Sequence, residues 1–147
     1  MRRFGVCVTV LMIAWCDSAT GIAQMKITTG ADYAKVMKAT AQAFGGVINS
    51  VSARSFADAK ANLPPLREGF VALEAFWEGK KRADAIEIVK RALTQVDALE
   101  KVLATEPVSR ADALVAATEI QGACNACHTL YREGNNQTGF RFKAGVL

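Results

Sequence analysis

Apolar residues in this chain recur at spacings of three and four, and no stretch alternates with period two over a useful length. That rhythm puts apolar side chains on one face of a helix and predicts no strands. It is clearest from Ala83 to about Ala104, where Ile86, Val89, Leu93, Val96, Leu99 or Glu100, and Leu103 form one stripe. At a rise of about 1.5 Å per residue this segment is about 33 Å long, the span of a long bundle helix.

The same pattern predicts three more helices. From about Thr29 to Ala53, Tyr33, Met37, Thr40, Ala41, Phe44, Val47, Ile48 and Val51 share a stripe, with Lys35, Lys38, Gln42 and Asn49 off it. Gly45 and Gly46 inside this helix cost about 1 kcal/mol each relative to alanine. Either the close approach of a neighbour or a mild irregularity would account for them. Residues 54–63 read as a connection with a turn or two of helix, and Pro64-Pro65 as the opening of a second helix, where missing amides cost little. Leu66, Phe70, Leu73 and Phe76 or Trp77 would face inward, and Gly79 would end it. Lys80-Lys81-Arg82 reads as a solvated loop. After Pro107, Ser109 caps a fourth helix running from about Arg110 to Arg132, with Asp112 as an acidic variant of the capping box. Residues 134–139 read as loop, and Phe140-Arg141-Phe142-Lys143 as a tail able to fold back over the bundle end. Four amphipathic helices with short later connections call for an all-α, antiparallel up-down-up-down four-helix bundle.

The fourth helix carries Cys124-Asn125-Ala126-Cys127-His128 near its end. Two cysteines separated by two residues and followed by histidine form the c-type haem attachment signature. On a helix, positions i, i+3 and i+4 share a face, so both thiols can form thioethers while the imidazole reaches the iron. Zinc would need a fourth ligand, and His128 is the only histidine in the chain. A redox Cys-x-x-Cys pair usually opens a helix beside a strand, whereas this one lies late in a helical pattern.

Met1-Arg2-Arg3, the apolar run Phe4 to Cys16 and the small, mildly polar stretch to Ala23 have the layout of a secretory signal peptide cut at Ala23/Gln24. The run is short for a bilayer span, so no retained membrane anchor is expected. Bulky Trp15 argues against a lipoprotein cut before Cys16, and the absence of a polar face argues against a buried helix. Residues 1–23 are thus expected to be removed and 24–147 to form one haem domain. Export and attachment agree: free thiols in an oxidising compartment would close into a disulfide, and thioether formation consumes them. Removing Arg2, Arg3 and Asp17 from 18 basic and 14 acidic side chains leaves 16 and 13, a net charge of +3. Such a balance does not indicate a nucleic-acid protein.

A helical bundle with Cys124-Asn125-Ala126-Cys127-His128-Thr129-Leu130-Tyr131-Arg132 on its last helix resembles the class II cytochromes c, the cytochrome c′ family. The resemblance covers essentially the whole mature chain, and the motif turn with the aromatic-Arg pair after it is its most specific part. It departs at Pro64-Pro65 and in the long tail after Glu133. It implies one covalent haem c held by Cys124 and Cys127, His128 as proximal iron ligand, a periplasmic location, and electron transfer or small-gas binding. Family members often pair through their first two helices, which leaves a homodimer open.

The sixth iron ligand divides the two functions. Met1 and Met12 leave with the signal peptide and Met25 falls at the new N-terminus, so Met37 is the remaining thioether. Met37-Lys38 with Phe44-Gly45 following looks like the first helix of the low-spin, Met/His-ligated branch, the cytochrome c-556 type. The five-coordinate branch typically has an Arg-Gln pair there, which this sequence lacks. Met37 as distal ligand makes the chain a one-electron carrier with redox proteins as partners. Met37 as an ordinary core residue makes it a five-coordinate protein that binds nitric oxide or carbon monoxide. An enzyme is not expected, since neither a catalytic dyad nor a second histidine is present. Arg132 could pair with a haem propionate or cap the last turn, and Tyr131, Phe44 and Phe76 are candidate haem contacts that also read as core. Lys35 and Lys38 read as a solvated face or as part of a docking patch for an acidic partner.

Overall fold

The computed structural model describes residues 26–135 and 137–146. The expected signal peptide, its cleavage site, Met1, Met12, Met25, Cys7 and Cys16 lie outside the described residues. Four helices, α1 (Gly30–Ser52), α2 (Phe56–Gly79), α3 (Ala83–Ala104) and α4 (Arg110–Tyr131), are followed by strands β1 (Arg132–Asn135) and β2 (Gly139–Phe142). The all-α four-helix bundle expected from the periodicity is present. Each helix packs mainly on its sequence neighbours, and α1 meets α4 far less closely than it meets α2.

Thr29 caps α1 with a full capping box. Its hydroxyl accepts from Asp32 N at 3.1 Å, and the Asp32 carboxylate accepts from Thr29 N at 3.0 Å. At α4 only half of the box forms: the Ser109 hydroxyl accepts from Asp112 N at 3.3 Å. The α3 stripe settles on Leu99, which is fully buried, while Glu100 is exposed and accepts a hydrogen bond from Arg67 of α2 at 2.9 Å. In α1, Val36 and Ala43 are buried and Ala41 is exposed, a small rotation of the expected face.

Two expectations are corrected. Pro64 and Pro65 do not open α2 but lie inside it, and the helix begins at Phe56 after a short turn in which Arg54 takes a φ of 60°. The amides that the prolines lack would have met the carbonyls of Lys60 and Ala61, and these four residues are exposed, so water can serve those carbonyls. On the opposite face Ala59, Leu63, Leu66, Phe70, Leu73 and Trp77 form one buried stripe that runs straight past the proline pair. Burial of Ala59 and Leu63 thus offsets the lost helical bonds.

The second correction is the tail. Strands were not expected, yet β1 and β2 pair antiparallel with Arg132 opposite Phe142 and Gly134 opposite Phe140. The Asn135 side-chain oxygen accepts from the amides of Gln137 and Thr138 at 2.9 and 3.0 Å, which shapes the turn. Gly134 has a φ of 89°, and a Cβ there would collide with the Gly139 carbonyl. The tail does fold back over the bundle end: the Phe142 ring centroid lies 4.6 Å from that of Tyr33 on α1. Among the described residues no helix is long and apolar enough to cross a membrane.

Candidate ligand cavity between α1 and α4

Where α1 and α4 part, the bundle holds a largely apolar cavity of about 360 Å³. Cys124, Cys127 and His128 all line it, because i, i+3 and i+4 on α4 turn the same way. Gln121, one turn earlier on that face, borders it as an exposed residue. From α1 come Tyr33, Met37, Phe44 and Gly45; from α2, Phe70, Leu73 and Trp77; from α3, Ile88, Val89 and Ala92.

The two thiols are free and half-buried. Burial raises the Cys124 pKa. Burial, then the neighbouring Cys124 and Asp84, push Cys127 up to about 11. Both are therefore thiols at neutral pH. Burial, helped by the charge of Arg132, holds His128 below its ordinary value and so keeps the imidazole neutral, the form that ligates metals. Burial is also the main cause that raises Tyr33.

The adjacent glycines of α1 answer to different causes. A Cβ on Gly46 would lie 2.7 Å from the Asn62 side-chain carbon, so its absence lets α2 approach. A Cβ on Gly45 would meet nothing within 4 Å, and Gly45 borders the cavity, so that wall is open space. Close approach of α1 and α2 recurs at Gly69, where a Cβ would lie 3.0 Å from Thr40 Cβ. Buried Thr40 also borders the cavity and is satisfied by donating to the Val36 carbonyl at 2.8 Å.

Of the residues singled out from sequence, Cys124, Cys127, His128, Met37 and Phe44 come together on the cavity wall. Tyr131, Arg132 and Phe76 do not line it. Tyr131 is buried against Trp77 at 4.9 Å between ring centroids, with the Arg82 guanidinium over its ring at 5.0 Å. Arg132 is exposed and covers the Phe140 ring at 4.2 Å. Phe76 belongs to an aromatic cluster with Tyr33, Trp77 and Phe142. Lys35 and Lys38 are exposed on α1 and form no ion pair among the described residues.

Sequence reasoning missed Trp77 as a wall residue. It is fully buried, and its indole N–H has no hydrogen-bond partner among the described residues. Its place on the α2 stripe was visible, but which helix that stripe faced was not. No family model, no curated protein and no solved structure matches this chain.

Proposed function

We propose that this chain is an exported, periplasmic monohaem c-type cytochrome of the class II kind, carrying one electron at a time between redox proteins. The observation that carries the reading is the convergence of Cys124, Cys127 and His128 from α4 with Met37 from α1 on one apolar cavity. The residues suit the group the motif implies. The thiols are unbridged, the imidazole is held neutral, and the wall at Gly45 leaves room.

Cys124 and Cys127 would hold the porphyrin covalently, and His128 and Met37 would ligate its iron. Bound there, a haem supplies a one-electron iron couple whose potential rises with a Met/His ligand pair and with burial. The chain contributes the apolar wall of Phe44, Phe70, Leu73 and Trp77, which excludes water. Met37 lies on a different helix from His128, so the two side chains approach from separate elements and the fold, not local sequence, sets the space between them.

The test is the absorption spectrum of haem-loaded protein, oxidised and reduced, before and after Met37→Ala. A low-spin spectrum with a methionine-to-iron charge-transfer band that disappears in the variant supports the electron carrier. A high-spin spectrum unchanged by the substitution removes Met37 as ligand and favours the binding of nitric oxide or carbon monoxide instead. A chain that takes up no covalent haem under conditions of cytochrome c maturation sinks both.

A further inference from the structure

The tail after α4 joins the two neighbouring helices that pack least on each other. Lys143 N donates to the Tyr131 carbonyl at 2.9 Å, and Lys143 Nζ donates to the Thr129 carbonyl at 2.6 Å, which ties the end of β2 to the last turn of α4 beside His128. The adjacent Phe142 ring packs on Tyr33 of α1 at 4.6 Å, lies nearly perpendicular to Trp77 at 5.8 Å, and stacks with Phe76 at 6.2 Å. Tyr33 and Trp77 both line the cavity, so Phe142 stands behind its wall. Tyr33 precedes Met37 by four residues and therefore shares its helical face.

We propose that the β1–β2 hairpin is a strap that sets the separation of α1 and α4 across the cavity, with Phe142 as a positioning residue for Met37. One anchor of the strap is next to His128 and the other is one helical turn from Met37, so the strap spans the gap between the two side chains. Direct packing of α1 on α4 is sparse, so the seating of Phe142 on Tyr33 adds a second link across the gap. The hairpin itself is held in shape by Gly134, whose positive φ and lack of a Cβ are both required where it passes the Gly139 carbonyl. Attachment through Cys124 and Cys127 depends on α4 alone, so losing the strap should spare attachment and loosen the α1 side. In its bearing on Met37, the inference rests on the functional reading above.

The experiment compares the wild-type protein, haem-loaded, with Phe142→Ala, Gly134→Ala and the conservative Phe142→Tyr. Amide hydrogen exchange is read over Tyr33 to Thr40, and the methionine-to-iron charge-transfer band and covalent haem content are read on the same samples. The expected result is exchange about tenfold faster in α1 for Phe142→Ala and Gly134→Ala, with α3 unchanged, most of the charge-transfer band lost and haem content retained. Phe142→Tyr should restore both the exchange and the band. Unchanged α1 exchange in Phe142→Ala and Gly134→Ala overturns the strap. Faster exchange with an intact band overturns the role of Phe142 in positioning Met37. If Met37→Ala leaves the wild-type spectrum unchanged, it is the ligation that fails, and the exchange measurement still decides the strap.

Discussion

Asp32 shows how a residue at the surface can carry a pH-dependent part of the fold. Hydrogen bonds from the Thr28 and Thr29 hydroxyls, then from their amides, hold its carboxyl at about 2. A carboxyl depressed on folding stabilises the native state above its unfolded value, and that contribution is lost as the pH falls through the folded value. The start of α1 should therefore lose protection between pH about 4 and about 2, whereas Asp32→Asn should start less stable and show no such step. Amide exchange at Tyr33 and the next residues across that range checks it. Another residue-scale effect is steric. Gly69→Ala should destabilise the protein by about 1–3 kcal/mol in urea unfolding, because the new methyl meets Thr40. The double variant with Thr40→Ala should recover much of that loss, a coupling that a simple change in helix propensity would not produce.

At the scale of elements, α2 carries the most informative conflict between local preference and fold. A proline inside a helix costs about 3 kcal/mol in a peptide, yet Pro64 and Pro65 sit mid-helix because the opposite face is buried against the bundle. Pro64→Ala should therefore raise stability, by about 1–3 kcal/mol less the greater freedom that alanine gives the unfolded chain. Equilibrium unfolding in urea reads the difference, and a loss of stability would mean that the pair helps to shape α2. The hairpin is the opposite case. Its two four-residue strands are too short for alternation to register, and its signals are single residues: the glycines at 134 and 139 and the Asn135 side chain that accepts from the turn amides. The same composition reads as loop until a partner surface is known, and that surface is the aromatic cluster of Tyr33, Phe76 and Trp77.

For the whole molecule, the cavity is bordered by the same hydrophobic core that fills the rest of the bundle. Val47, Val51, Leu66, Leu99, Leu103 and Ile120 form a fully buried core, so Leu99→Ala should cost about 2–5 kcal/mol whether or not a ligand is bound. At the cavity α1 and α4 pack little on each other, so loading with haem should raise the thermal midpoint by roughly 10 °C or more, read by circular dichroism at fixed protein concentration. Equal midpoints with and without haem would show that the cavity walls support themselves. Much of this architecture follows from sequence alone: the helical class, the limits of α3 and the shared face of Cys124, Cys127 and His128 are consequences of a 3.6-residue period acting within one segment. The early start of α2, the fold-back of Phe142 onto Tyr33, and the meeting of Met37 and Trp77 with the motif are decided by tertiary structure. Periodicity says which face of a helix is apolar, whereas which other face it meets depends on the packing of all four helices at once.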